Sequence, residues 1–366
     1  MTIARSSGWM RIESLFHGAL RMLRKSASRI VAARHLVKKL LCLASMLFAT
    51  SLRRIDLVLS FFTYALSMNY VLGFDGGGTK TECVLMDPAR KILAHSFSGP
   101  SNPWRVGVES ATREIEKAAD LSLQAAGVAR NVVVALGAGL AGTGKPEIKE
   151  RMQTSLAGAF PGAAVSIFTD LEIALAAAGE GPVIVLVAGT GSAAIGRNAQ
   201  GQIWRTGGQG PRLGDDGSAF DIGSRAVARA MKERDQRGTD SILGMKILEQ
   251  LGYASWPELQ ERAALQPDNI FPSVFPIVAA AADAGDSAAR EILLQAAGEL
   301  SSLVNAVAEH SGHGRENIMI VKVGGTVGRC AFFDAQLDAA LKRVLPQAQI
   351  GGLRMSPAEA AARAAR

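Results

Sequence analysis

The chain has 366 residues, enough for two domains, with 39 glycines and a formal net charge of +7. That charge does not point to nucleic acid: residues 1–67 hold eleven basic residues against Glu13 and Asp56, which leaves the remainder at a net −2. Cys42, Cys83 and Cys330 are scattered with neither disulfide nor metal spacing, which excludes a cysteine-built metal or disulfide scaffold.

Residues 1–67 stand apart from the rest. Their apolar runs, 40–52 and 55–68, are split by Arg53-Arg54, and each is too short to cross a bilayer alone. The expectation is that the working chain starts at Met68 and that the upstream stretch is an over-extended start. A basic amphipathic or signal-anchor segment is the alternative. Both readings put the folded part in the cytoplasm, off the membrane.

The first strand follows at once, in Tyr70-Val71-Leu72-Gly73-Phe74-Asp75-Gly76-Gly77-Gly78-Thr79-Lys80-Thr81. An apolar run ends in an aspartate and three glycines, and a second apolar run occupies 83–86. This predicts two strands joined by a glycine turn whose backbone N–H groups can approach an anion. Asp75 either caps that turn or adds a carboxylate where hydrated magnesium could sit beside phosphates. The pattern is not a P-loop, because no helix-opening Gly-Lys-Ser/Thr follows at the required spacing. Lys80 is equally readable as a phosphate contact or a solvated hairpin lysine.

Gly99-Pro100-Ser101-Asn102-Pro103-Trp104 reads as a turn. Apolar spacing then predicts a helix over 108–126, a strand over 131–136, a glycine-rich turn over 137–143, a helix over 146–157 and a strand over 164–169. This is a β-α-β pattern of the parallel kind. Asp170 closes the last strand and opens the next helix. It is either an N-cap or a group at the strand end, where ligands bind in α/β sheets. Gly181-Pro182 is a candidate hinge.

A second copy of the glycine hairpin then appears in Val183-Ile184-Val185-Leu186-Val187-Ala188-Gly189-Thr190-Gly191-Ser192, with apolar runs after it as in the first. The first glycines of the two turns, Gly76 and Gly189, lie 113 residues apart, about one small domain. Two such halves would grip a polyphosphate from both sides. Asp215 and Asp216 precede a helix, a common place for caps. The segment 217–310 is read as nearly all helix, interrupted near Gly238, Gly252 and Pro267 to Pro276. A strand over 317–323 leads into Gly324-Gly325, and 357–366 is an alanine-rich helix.

Seven ordered motifs carry a family resemblance: Asp75-Gly76-Gly77-Gly78-Thr79-Lys80-Thr81, Ser101-Asn102-Pro103-Trp104, Thr169-Asp170, Ala188-Gly189-Thr190-Gly191-Ser192, Gly207-Gly208-Gln209-Gly210, Leu213-Gly214-Asp215-Asp216-Gly217-Ser218 and Val323-Gly324-Gly325. From about residue 69 onward the chain resembles the actin/sugar-kinase/Hsp70 superfamily. Within it the chain is similar to the BadF/BadG/BcrA/BcrD-type family, the branch with N-acetylglucosamine and glucosamine kinases. The resemblance implies an α/β fold of two ribonuclease-H-like domains, about 68–181 and 182–366, with a nucleotide cleft between them and the last helix packing back on the first domain.

It also implies an ATP-dependent amino-sugar kinase using Mg²⁺, acting at the 6-hydroxyl, with Asp170 as the base. Asp75 would orient the magnesium waters. Gly76, Gly77, Gly78, Thr79, Lys80, Gly189, Thr190, Gly191 and Ser192 would lie on the phosphates, and Gly324 and Gly325 beneath the adenosine. Asn102, Gly210 and Asp215 would bind the sugar, Trp104 would wall its pocket, and Asp216 would be structural. A small-molecule sugar is the expected partner, and a homodimer the common assembly among such kinases. The alternative is an ATPase activator of a BadF/BcrA-type electron-transfer system, which would need a cluster-binding cysteine; Cys330 is the candidate. The zinc cysteines of the neighbouring ROK-type kinases are absent.

Overall fold

The computed structural model describes residues 69–237, 241–312 and 318–365. The readings made above for residues 1–67, for Cys42, for a start at Met68, and for Gly238 and Asn317 lie outside these residues. The described chain divides into one unit of residues 69–169 with 361–365 and a second of residues 170–360.

In the first unit, β1 (Tyr70–Gly76), β2 (Thr81–Met86) and β3 (Ile92–Ser98) form an antiparallel meander. Then β4 (Val133–Leu140) and β5 (Ala164–Thr169) join the other side of β1 in parallel, giving the order β3-β2-β1-β4-β5. The short helix α1 (Pro103–Val106) leads into α2 (Val108–Ala126), and α3 (Pro146–Ala159) bridges β4 and β5. Alternation along β1 sends Leu72 and Phe74 into a core with Ile115, Ala118 and Ala119 of α2 and Met152 and Leu156 of α3.

The expected turn over 137–143 is different in the structure: Gly137 to Leu140 continue the strand. As the strand between β1 and β5, β4 gains a ladder on both edges, which overrides the weak strand preference of glycine. Gly137 is required there by close approach, since a Cβ would lie 2.1 Å from the carbonyl oxygen of Ala361.

The second unit repeats the plan. After α4 (Asp170–Ala177), β6 (Val183–Ala188), β7 (Ser192–Arg197) and β8 (Ile203–Gly207) form a meander. Then β9 (Met319–Val323) and β10 (Gln349–Gly351) add in parallel, so the order β8-β7-β6-β9-β10 matches the first sheet. On β6, Ile184, Leu186 and Ala188 face one cluster while Val183 and Val185 face another, as period two requires for a strand covered on both sides.

Between β8 and β9 stand α5 (Ala219–Arg234), α6 (Leu243–Leu251), α7 (Trp256–Leu265), α8 (Pro267–Asp283) and α9 (Ser287–Ser311). The break expected near Pro267 falls at Gln266, between α7 and α8, but Pro272 and Pro276 do not interrupt the run. Pro267 takes the first turn of α8, and Pro272 and Pro276 stay inside it because Val274, Phe275, Ile277 and Val278 are buried in the core. The helix α10 (Ala331–Val344) and strand β10 were not anticipated. The chain closes with α11 (Pro357–Ala364). The units divide between Thr169 and Asp170, whereas the sequence placed a hinge at Gly181-Pro182.

Candidate active site

In the first unit, the β1–β2 register pairs Gly76 with Thr81 and leaves a loop of residues 77–80, closed by the Gly77 N–H donating to the Lys80 carbonyl at 3.0 Å. The carbonyls are drawn backwards. Gly76 accepts from Ala141 N–H at 2.9 Å, and Gly77 accepts from the N–H groups of both Ser101 and Asn102 at 3.1 Å. Thr81 Oγ1 ties the turn to Ser101 Oγ and to the Gly99 carbonyl, each at 2.7 Å. Gly78 and Thr79 are exposed at the tip, and among the described residues their N–H groups have no backbone acceptor. Such a turn presents donors outward and is built for an anion. The Lys80 ammonium lies 5.0 Å from the centre of the Phe97 ring.

Asp75 lies at the carboxyl end of β1, level with Gly139 of β4. Among the described residues no group of three or more His, Cys, Asp or Glu could hold a metal by itself. One carboxylate at this strand end fits a magnesium ion carried by phosphates and water, not a protein-built cage.

Beside the turn, Asn102 caps α1. Its Oδ1 accepts from the N–H of Trp104 at 3.0 Å and of Arg105 at 3.3 Å, which leaves its Nδ2 group as the donor to offer. Gly142 packs against it, since a Cβ there would come within 2.2 Å of Asn102 Oδ1. Trp104 is 63% exposed, with the Lys145 ammonium 4.2 Å from its ring centre. Asp75, Asn102, Gly142 and Thr143 all follow the carboxyl ends of the parallel strands β1 and β4 or the loops beside them, where α/β sheets bind ligands.

In the second unit, β6 and β7 pair Ala188 with Ser192 around Gly189-Thr190-Gly191, closed by Gly189 N–H to the Gly191 carbonyl at 2.9 Å. Here too the carbonyls face backwards. Gly189 accepts from Ala219 N–H at 2.9 Å and Thr190 from Phe220 N–H at 3.3 Å, both from the start of α5. The buried Ser192 hydroxyl donates to the Asp216 carbonyl at 2.7 Å, and Thr190 is exposed.

Asp215 is brought against this hairpin. A Cβ on Gly191 would lie 2.6 Å from Asp215 Oδ2, and the backbones of Ser192 and Gly210 hydrogen-bond its carboxylate. Burial raises its pKa, more than those two bonds lower it. Its backbone has φ of 59°, a left-handed value that costs a non-glycine residue energy, aspartate less than most. The cap of α5 is Ser218, whose Oγ accepts from Asp221 N–H. Asp215 and Asp216 are therefore not the caps their position suggested.

Gly324 follows β9 and touches the same hairpin. Its φ is 118°, and a Cβ would lie 2.2 Å from the Ala188 carbonyl oxygen. Thr326 then fixes that carbonyl with two bonds, from its N–H at 3.1 Å and its Oγ1 at 2.7 Å. Glycines separated in sequence by more than a hundred residues thus form one backbone surface.

Asp170 opens α4 and is partly exposed. Burial raises its carboxyl pKa above the ordinary value; the N–H groups of Leu171 and of Asp170 itself and the Arg205 charge pull the other way, while Glu172 adds to the rise. Cys330 is 2% exposed and caps α10, accepting from Phe333 N–H and donating to Asp283 Oδ1 at 3.3 Å. It packs as a structural cap. Arg105, whose Nη1 would lie 2.9 Å from a Cβ on Gly78, was not singled out from the sequence. Only the loop geometry brings it to the turn.

Two sheets of one strand order, each carrying a glycine hairpin with its carbonyls drawn back, define an actin-like α/β ATPase fold. The chain belongs to the BadF/BadG/BcrA/BcrD ATPase family, whose profile matches residues 72–365. It is 31% identical over 287 residues to an N-acetylmuramic acid/N-acetylglucosamine kinase of Clostridium acetobutylicum, covering 77% of this chain and 94% of that protein. It is 29% identical over 313 residues to an N-acetyl-D-glucosamine kinase of Dictyostelium discoideum, covering 81% and 98%. A solved structure from Chromobacterium violaceum shares the fold with a TM-score of 0.68 at 22% identity, covering 81% of this chain and 99% of that one.

Proposed function

We propose that the chain is an ATP-dependent amino-sugar kinase that transfers the terminal phosphoryl group of ATP to the 6-hydroxyl of N-acetylglucosamine or glucosamine. The observation that carries this reading is the pair of hairpins with outward N–H donors in two sheets of one order, in a chain whose curated relatives are kinases of such sugars. The hairpins at Gly76–Gly78 with Thr79, and at Gly189–Gly191, bind phosphate oxygens, and Gly324 and Gly325 form the flat backbone under the adenosine. Asn102 Nδ2, Gly210 and the Asp215 carboxylate bind the sugar, with Trp104 as a wall. Asp75 would hold a magnesium ion, which when bound would neutralise phosphate charge.

In the reaction the sugar hydroxyl oxygen bonds to the terminal phosphorus, the bond from phosphorus to the ADP oxygen breaks, and Asp170 takes the hydroxyl proton. A carboxylate whose proton affinity is raised by burial is better matched to that task than a solvated one. Such a base contributes roughly 10²–10⁴-fold, with positioning and charge stabilisation supplying the rest.

The test is ATP consumption by the full chain across N-acetylglucosamine, glucosamine, N-acetylmuramic acid, glucose and mannose. The expected result is turnover that depends on an amino sugar and yields a sugar phosphate. ATP turnover indifferent to sugar would contradict the reading.

A further inference from the structure

By sequence position the cation of the first hairpin is Lys80, yet the structure turns it to the side. Its ammonium lies over the Phe97 ring at 5.0 Å, where the π-face of an aromatic holds a cation. The cation that lies on the glycine turn comes from elsewhere. The Arg105 side chain lies against the turn: its Nη1, Cδ and Cζ would lie 2.9, 3.5 and 3.7 Å from a Cβ on Gly78. The absence of a side chain at Gly78 is what admits the guanidinium.

The segment bearing Arg105 is not loosely apposed. Ser101 and Asn102 donate their N–H groups to the Gly77 carbonyl, and Thr81 binds Ser101, so turn and loop are one hydrogen-bonded body. Asn102, the sugar ligand of the proposed function, lies three residues before Arg105 and accepts from its N–H at 3.3 Å. A planar guanidinium beside outward turn N–H groups matches the oxygens of a phosphate better than a lysine does.

On the strength of the kinase reading above, we propose that Arg105 is the phosphate-binding cation of the first hairpin and contacts the terminal, transferring phosphoryl group. It stands on α1, the helix that the acceptor's ligand Asn102 caps, so it serves the phosphate that meets the sugar. Its charge stabilises the oxygens of that group as the bond to ADP breaks.

The experiment is calorimetric binding of the β,γ-imido analogue of ATP, and separately of ADP, each with magnesium, to the full chain and its Arg105→Ala and Arg105→Lys variants. Arg105→Ala is expected to weaken the analogue roughly 10- to 100-fold, the range of a charge-assisted hydrogen bond. ADP binding should change far less, and Arg105→Lys should recover part of the loss. The Lys80→Ala variant, run alongside, should cost the analogue less than Arg105→Ala. Because Arg105 is exposed, thermal unfolding should confirm that the variants fold. Unchanged analogue affinity, an equal loss for analogue and ADP, or a larger loss in Lys80→Ala would each overturn the assignment. These outcomes are separate from the kinase reading, which stands or falls on sugar-dependent turnover of the unaltered chain.

Discussion

The two glycine hairpins reach the same end by different anchors. The first is clamped from behind by loop backbone, at Ala141, Ser101 and Asn102, so its geometry is tied to the loop that carries the candidate sugar ligand. The second is clamped by the opening of a sixteen-residue helix, at Ala219 and Phe220, and by Thr326 beyond β9. The sheets share a strand order, but the second unit carries, among the described residues, five helices between its meander and its parallel strands. The lesson is that an outward-facing row of N–H donors needs only that the carbonyls be occupied elsewhere. What occupies them decides whether the turn is held by a loop or by the opening of a long helix.

The sharpest way to break the second hairpin is Gly324→Val. With φ at 118° and a Cβ 2.2 Å from the Ala188 carbonyl, the substitution must displace the turn itself. It should cost on the order of 3 kcal/mol and weaken ATP-analogue binding more than tenfold, read by denaturant unfolding and calorimetry.

The coupling of the first hairpin to the acceptor is separable by two changes at Asn102. Asn102→Asp keeps an oxygen to cap α1 but removes the Nδ2 donor, so stability should hold while the KM for the sugar rises about tenfold or more. Asn102→Ala should show the same rise and also lose about 0.5–2 kcal/mol with the cap. Equal sugar KM in Asn102→Asp and the unaltered chain would remove Asn102 from the sugar site. The mildest probe is Thr326→Val, which deletes one of two bonds to the Ala188 carbonyl and should cost about 1 kcal/mol in thermal unfolding.

Much of this plan was legible in the sequence because it is local. Apolar runs broken by glycine gave β1, β2, β6 and β7, and the helix over 108–126 was placed by its apolar spacing. What was not legible depends on contacts far along the chain. Gly137 to Leu140 became strand through neighbours on both sides, and Pro272 and Pro276 stayed helical through core burial. The seat of Asp215 against Gly191, the meeting of Gly324 with Ala188, and Arg105 on Gly78 are each set by tertiary approach. No spacing in the sequence encodes them.

The proposed base offers the most direct test, through Asp170→Asn measured for turnover and for stability together. Burial raises the folded-state pKa of Asp170 above its unfolded value, so the folded chain binds more protons in the window between the two. Stability from this carboxyl is present below the unfolded value and is lost as pH rises through the folded one. The asparagine variant should therefore be at least as stable as the unaltered chain at neutral pH. In the unaltered chain, activity should fall as pH drops through that raised pKa, above the usual carboxylate value of about 4. The account predicts that Asp170→Asn lowers kcat roughly 10²–10⁴-fold with the KM for sugar and ATP little changed and no loss of thermal stability. Full activity in a folded Asp170→Asn chain would contradict it.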